Sequence, residues 1–149
     1  MSLIYNTNIQ LTGGILTNIG KLVNEQGKRS YKILSYNINE DKKEFKRIVH
    51  FYKSSTYNKK LLLLLIKANN KIYRIICTDD HQFYVKNLNT YISANDLLEN
   101  HELIIFEANN IYNGILFKKV QYIHNEKFIY DIEVEDNHNF FVNNILMHD

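Results

Sequence analysis

Two short phrases in this sequence carry residue types suited to proton transfer at a peptide bond. The first is Thr78-Asp79-Asp80-His81, at the end of a strand-like run. A hydroxyl and an imidazole three residues apart can share one side of a tight turn. The imidazole can then protonate a peptide nitrogen or polarise a carbonyl. For this motif alone the alternative is a surface turn with an incidental histidine. The second phrase, DNHNFFVNN at residues 136–144, nearly copies DDHQFYVKN at residues 79–87, with five of nine positions identical. It places His138 where the first has His81. Asp131 lies seven residues before His138, at the start of a strand (YDIEV), where an aspartate is more often solvent-facing. His148 and Asp149 close the chain, and the NNILM before them is apolar enough for a final strand, not a frayed tail. Ser2 opens a plausible first strand, LIYNTNI. A serine hydroxyl is a weak nucleophile unless a neighbouring base activates it, and a serine after an initiator methionine is ordinarily trivial. No G-x-S-x-G elbow, P-loop, Rossmann glycine pattern or H-E-x-x-H is present. Six histidines and one cysteine show no metal-ligand spacing, so neither a metal nor a cofactor is expected.

The elements that must position these residues are strands. Residues 31–36, 45–52, 60–66, 71–77, 83–85, 103–106, 117–123, 128–134 and 140–142 are rich in β-branched, aromatic or leucine side chains. Several alternate apolar and polar residues, as half-buried strands do. Asn/Asp/Gly/Lys clusters at 37–43, 68–71, 109–114 and 124–127 read as hairpin turns, and Gly13–Gly14 as another after a short strand at 9–11. Two short helices are expected, at 17–24 capped by Thr17 and at 93–100 capped by Ser93.

The repetition extends beyond the histidine phrases. ILTNIGKLVN aligns with YISANDLLEN, KILSYN with LIIFEAN, and FKRI with FKKV, in the same order in both halves. The first copy carries an extra hairpin around residues 54–60. One copy can bury its apolar faces only against another, which predicts two interlocked β units around a shared core. Coincidence among Asn-, Lys- and aromatic-rich strands is the alternative.

A length of 149 residues fits one domain, with enough surface buried to stand without staples. The single cysteine, Cys77, excludes an internal disulfide and reads as a small buried hydrophobe. The longest apolar run, residues 61–66, is far short of the ~20 a membrane span needs. The start, MSLIYNTN, lacks the pattern of a signal peptide. Net charge is +2 with interspersed signs, which does not favour nucleic-acid binding.

Taken together, these residues resemble an intein, over essentially the whole chain from Ser2 to Asp149. SLIYNTNIQLTGG is similar to the N-terminal splicing block, which opens on Cys or Ser with a D/N-T pair following. ICTDDHQFYV resembles the T-x-x-H block. YDIEVEDNHNFFVNNILMHD resembles the two C-terminal blocks, with their Y-D-x-x-V, H-N-F, N-G and H-N. The sequence departs in having Ser2 where Cys is commoner, Asn-Asn where Asn-Gly is common, and Asp149 where Asn is usual.

The resemblance implies an all-β Hint (hedgehog/intein) horseshoe of two pseudo-symmetric halves. Residues 1–149 would form one domain without a homing endonuclease, Met1 being a start residue or an extein remnant. It implies autocatalytic, single-turnover protein splicing by Ser2, Thr78, His81, Asp131, His138, His148 and Asp149. The partners would be flanking extein segments, with no cofactor, membrane or nucleic acid. A monomer is expected, derivation from a split form is left open, and location follows the host protein, with an intracellular one expected. Two rival readings are a hedgehog-type autoprocessing domain and a non-catalytic β-rich binding domain.

Overall fold

In a computed structural model, which describes residues 1–25 and 31–149, thirteen strands of the described residues join one continuous antiparallel sheet. Asparagine makes many of its turns. The strands β1 (Asn8–Leu11) and β2 (Ile15–Asn18) are joined by a 3-10 turn in which Gly13 and Gly14 take φ of 82° and 73°. Elsewhere the chain uses asparagine for the left-handed conformation, because its short polar side chain tolerates αL better than most. The hairpin of β5 (Leu61–Ala68) and β6 (Lys71–Thr78) turns on Asn69 and Asn70, with φ of 50° and 62°. Positive φ at both central residues is the signature of a type I′ turn, whose twist matches that of the flanking strands.

The first half continues through α1 (Ile19–Asn24), β3 (Lys32–Asn37) and the long β4 (Lys42–Ser55). The second contains β7 (Gln82–Val85), β8 (Thr90–Ser93), β9 (Glu102–Glu107) and the long β10 (Asn110–Gln121). The two long strands exchange halves. β4 pairs with β3 through Arg47 and then with β11 (Phe128–Val134) from Ile48 onward. β10 pairs with β9 through Ile115 and with β5 from there to Gln121. The links that follow them bind one another: the Thr56 hydroxyl donates to the Glu126 carbonyl at 2.7 Å, and the Thr56 N–H to the Lys127 carbonyl at 3.1 Å.

Several expectations are corrected here. The segments at 54–60 and 124–127 are crossovers, not hairpins, because the strands on either side of each pair with different partners. Residues 109–114 do not form a turn: Ala108 and Asn109 alone turn the chain, and β10 starts at Asn110. Helix α1 starts one residue late. Thr17 pairs with Ile9 in the β1–β2 hairpin, and the cap is Asn18, whose Oδ1 accepts the Lys21 N–H at 2.9 Å. The second helix reduces to one 3-10 turn, Ala94–Asp96. Lys119 Nζ donates to the carbonyls of Ala94, Asn95 and Leu97, at 3.3, 2.7 and 2.7 Å, so those carbonyls have no need of a continued helix.

The repeat meets itself at the centre of the sheet. β13 (Ile145–His148) lies between β12 (Asn139–Val142) and β7, the strands of the two histidine phrases. Met147 is flanked by Phe140 and Phe83, the matching phenylalanines of the two copies, and all three are fully buried. The β12–β13 turn puts Asn143 and Asn144 at φ of 46° and 73°. Asn143 also accepts the Asn8 N–H at 2.7 Å and donates to the Arg74 carbonyl at 2.9 Å, and Asn144, which stands where glycine is common, donates its side-chain amide to the Phe106 carbonyl at 2.8 Å, a tie that a glycine lacks. Among the described residues no helix is long and apolar enough to cross a membrane.

Gly114 sits where β10 passes from β9 to β5. A Cβ there would lie 2.6 Å from both Ile105 Cγ1 and Ile66 Cγ2. Both isoleucines are fully buried and β-branched, so neither side chain turns away freely. Gly114→Ala is expected to cost about 1–3 kcal/mol by overpacking. Thermal unfolding checks this: the midpoint should drop by roughly 2–4 °C for each kcal/mol. An unchanged midpoint would show that the two isoleucines can shift.

Candidate active site

The amino-terminal residues form a bridge between the halves. Leu3 makes antiparallel bridges to Cys77 on one side and Tyr130 on the other. Leu3 N–H donates to the Tyr130 carbonyl and Tyr130 N–H to the Leu3 carbonyl, both at 2.8 Å. In antiparallel register the next residue back, Ser2, is therefore flanked by Thr78 and Asp131. Thr78 grips it from both directions: the Ser2 N–H donates to Thr78 Oγ1 at 2.8 Å, and the Thr78 N–H donates to the Ser2 carbonyl at 2.9 Å. The Thr78 hydroxyl donates to Asp80 Oδ1 at 2.7 Å.

Three residues on, the chain turns and His81 enters the core with no exposed surface. Its Nε2 is 2.9 Å from the His148 carbonyl. A carbonyl can only accept, so Nε2 carries the proton and Nδ1 of the neutral ring is a bare lone pair. Nδ1 has no hydrogen-bond partner, although the Ser2 backbone lies close enough to act on the ring. Burial, which penalises the imidazolium, drives the His81 pKa down to about 4.

At the carboxyl end Asp149 is held by three groups. Oδ2 accepts the Val134 N–H at 2.7 Å and lies 3.1 Å from His138 Nδ1, while Oδ1 is 3.3 Å from His148 Nδ1. Burial works to raise the Asp149 pKa, but His148, the Val134 N–H and His138 outweigh it and hold the carboxyl below its usual value. His148 is shifted upward, chiefly by its hydrogen bond to Asp149. His148 Nδ1 is also 2.8 Å from the main-chain oxygen of Asp149, which stands in for the carbonyl of a peptide bond to any following residue. His138, in left-handed backbone at φ 50°, keeps half its side chain in solvent and accepts the Asp149 N–H on its carbonyl at 2.9 Å.

Asp131 lies between the two ends. One oxygen accepts the Ile132 N–H at 2.8 Å, and its field is coupled to Met1, Asp149 and His148. Burial dominates and lifts its pKa from the ordinary 3.8 to about 8, so the group is protonated at neutral pH. All seven residues named from the sequence thus lie along this one line from Ser2 to Asp149. Three others at the site were not named. Asp80 stood inside the T-D-D-H motif but was given no role. Tyr91, read as leading into a helix, stacks edge-on against His148 with centroids 4.8 Å apart. Asn139 is fully buried and ties β12 to β3 and Tyr91: its amide oxygen accepts from Ser35 and Tyr36, and its nitrogen donates to the Tyr36 carbonyl and the Tyr91 hydroxyl. Cys77 is buried, which pushes its thiol far upward and keeps it inert. Among the described residues no cluster of His, Cys, Asp or Glu could hold a metal ion.

This arrangement belongs to the Hint class of fold: all-β, with pseudo-symmetric halves that exchange strands and bring the chain ends together. Solved structures that share the fold include the PabCDC21-1 intein, at 23% identity with a TM-score of 0.84 over 99% of this chain and 97% of that one. A DnaB intein from Synechocystis sp. PCC 6803 matches at 18% identity with a TM-score of 0.79, covering 99% of this chain and 96% of that one. The transcription factor IIB Mvu mini-intein matches at 15% identity and 0.81, covering 99% of each chain. No protein-family model and no curated protein matches the sequence.

The two buried shifts oppose each other in stability. Folded Asp131 holds a proton that the unfolded chain releases above its ordinary pKa of 3.8, so its contribution falls as pH rises toward about 8. Folded His81 stays neutral where the unfolded imidazole binds a proton, so its contribution rises with pH between about 4 and 6.5. The two offset each other up to pH 6.5. Above that Asp131 acts alone of this pair, and His148, with its raised pKa, adds to the decline. Stability is expected to fall between about pH 6.5 and 8, by on the order of 1 kcal/mol per pH unit from Asp131. Asp131→Asn should remove that part. Thermal midpoints of both proteins across pH 5–9 test it, and parallel curves would mean that Asp131 titrates normally.

Proposed function

We propose that residues 1–149 act as one mini-intein, which excises itself from a longer precursor and joins the flanking segments. The observation that carries this reading is that one buried turn holds both chain ends. Thr78 binds Ser2 on both its N–H and its carbonyl, and His81 holds the His148 carbonyl at 2.9 Å.

In the first step the Ser2 hydroxyl attacks the carbonyl carbon of residue 1. The C–N bond breaks, an ester forms, and the hydroxyl proton ends on the freed Ser2 amine. The bare Nδ1 of His81 can take up the hydroxyl proton and return it to the departing nitrogen; burial lowers its basicity, which favours the return over the uptake. With an upstream segment in place Met1 carries no ammonium charge, which removes one influence that now lowers the Asp131 pKa. A hydroxyl or thiol on the residue after Asp149 then attacks the ester carbonyl, and its proton passes to Ser2 Oγ. Asp131, between the two ends, is placed to relay that proton. Finally an ionised Asp149 carboxyl oxygen attacks its own main-chain carbonyl carbon, which the protonated His148 polarises through Nδ1; the C–N bond breaks, and the departing amine takes its proton from the His148 imidazolium. The cyclic anhydride formed is opened by water to leave Asp149 as a free acid. The joined segments, linked by an ester or thioester, rearrange to a peptide. Holding the reacting ends together contributes most of what the fold can offer, up to ~7–11 kcal/mol of near-attack geometry. A domain that only cleaved at its amino end would leave the cluster of His138, His148 and Asp149 without a task.

The test is a precursor with a reporter on each side and a Cys, Ser or Thr after Asp149. A ligated reporter pair and a free excised chain are expected on incubation. His81→Ala should slow amino-terminal cleavage by about 10²–10⁴-fold. Absence of both cleavage and ligation in the unaltered chain would end the reading.

The terminal residue gives a second expectation. An asparagine at 149 can keep its amide oxygen on the Val134 N–H and His138 while aiming its nitrogen at His148, which can then act as base instead of ion-pair partner. Its product, a succinimide, is also more stable than an anhydride. Asp149→Asn is therefore expected to speed release at the carboxyl end. Kinetics with intact mass spectrometry decide it: the Asn form should first appear one water lighter than its hydrolysed product. A faster Asp form would show a site adapted to the carboxylate.

A further inference from the structure

The T-D-D-H motif holds two residues that the mechanism above leaves unused, Asp79 and Asp80, and Asp80 is the one whose side chain reaches the site. Thr78 Oγ1 has a single proton and two acceptors within reach, Asp80 Oδ1 at 2.7 Å and the Ser2 carbonyl at 3.4 Å. The nearer, charged oxygen takes it. Once the proton is committed there, a lone pair of Oγ1 faces the Ser2 N–H at 2.8 Å. Thr78 is 3% exposed, so water offers the hydroxyl little alternative. We propose that Asp80 is a positioning residue for the amino-terminal step: it fixes the Thr78 hydroxyl so that its oxygen accepts the N–H of the peptide bond to be broken.

The proposal rests on the splicing reading given above. It accounts for both oxygens of Asp80. Oδ2 lies 3.4 Å from the Met1 ammonium. In a precursor that nitrogen is an amide N–H, a donor the same oxygen can accept. The carboxylate then spans the hydroxyl of Thr78 and the backbone just before the reacting bond. Burial works to raise the Asp80 pKa, but the Thr78 hydroxyl and, with the chain end free, the Met1 ammonium outweigh it and hold the carboxyl below its usual value. Asp79 serves differently: its main-chain N–H goes to the Lys60 carbonyl and its carbonyl accepts the Asn95 N–H, which tie the turn to the segments just before β5 and just after β8. Without Asp80 the Thr78 proton would turn to the Ser2 carbonyl. That draws Oγ1 away from the amide and frees the peptide bond to swing out of line with the Ser2 hydroxyl and His81.

The test uses a precursor with a reporter before Met1 and nothing after Asp149, so that only the amino-terminal step can occur, read by hydroxylamine cleavage of the ester. Asp80→Ala is expected to slow cleavage roughly tenfold. Asp80→Asn, whose amide oxygen accepts the same bond, should come within about threefold of the unaltered rate. Asp80→Ala should add nothing in a Thr78→Ala background, because the two act as one unit. Thermal midpoints should barely move, since the Asp80 side chain is 60% exposed. Full speed in Asp80→Ala, an Asn variant as slow as Ala, or an undiminished effect in Thr78→Ala would each overturn the proposal. Hydrogen exchange at the Ser2 amide separates it from the functional reading. That amide should be protected in the unaltered chain and in Asp80→Asn, and exchange faster in Asp80→Ala, whether or not the reporter is cleaved. Equal exchange in all three would overturn the positioning role. A precursor that never cleaves but shows this exchange pattern would overturn the splicing reading alone.

Discussion

The site depends on one dry hydrogen bond between parts of the chain that are far apart in sequence, His81 Nε2–H to the carbonyl of His148. A buried donor left unpaired costs about 1–3 kcal/mol, so the bond holds β13 in register against β7. It also fixes the tautomer. With Nε2 committed to the carboxyl-terminal strand, the nitrogen left over, Nδ1, is a lone pair. What the imidazole can do at one end of the chain is therefore set by the backbone of the other. An exposed histidine, free to carry a proton on either nitrogen, could not couple the two ends in this way.

That bond can form only because the halves exchange strands. β4 and β10 each leave one half for the other, and the links after them are tied through Thr56 to Glu126 and Lys127. The exchange sets β6 and β11 on either side of the amino terminus, so Leu3 can bridge them and Ser2 can fall between Thr78 and Asp131. The same enclosure explains the electrostatics. Water is excluded at the middle, so burial pushes an acid up and a base down, and both Asp131 and His81 become neutral near pH 7. Asp149 escapes this fate because two imidazoles and a backbone N–H meet its carboxylate. Neutral groups that can exchange protons sit beside the chain ends, and the ionised Asp149 is anchored.

The strands were legible because their β-branched and aromatic runs are dense, and the duplication because its elements recur in one order. The connections were less so. The polar stretches at 54–60 and 124–127 look like hairpin turns, since local sequence states that the chain leaves a strand but not which strand it joins next. SANDLLEN has a helix's cap and apolar spacing, yet it stops after one turn because Lys119, from a distant strand, takes its carbonyls. At the site, reactive residue types at recognisable spacing could be named from the sequence. Tyr91 and Asn139 could not, because their roles lie in tertiary contacts: a ring packed on His148 and an amide that ties β12 to β3.

The duplicated phrase shows how symmetry was turned to unlike purposes. Phe83 and Phe140 occupy matching places on either side of Met147, so the two copies do the same structural job. The histidines two positions earlier diverge. His81 follows a tight turn that drives its ring inward, where it loses all exposure and its ordinary basicity. His138 is reached through left-handed backbone, which leaves its ring at the surface with Nδ1 on Asp149. An inward ring can serve a bond that must be protected from water. An outward one can steady a carboxylate at the rim without the cost of burying a second imidazole. Had both copies kept the inward turn, Asp149 would lose one of the donors that hold it ionised, and its carboxyl would drift toward the neutral state that Asp131 already occupies. Divergence of the backbone at Asp136 and His138, both left-handed where Asp79 and His81 are not, is what allows two copies of one phrase to serve the two ends of the chain.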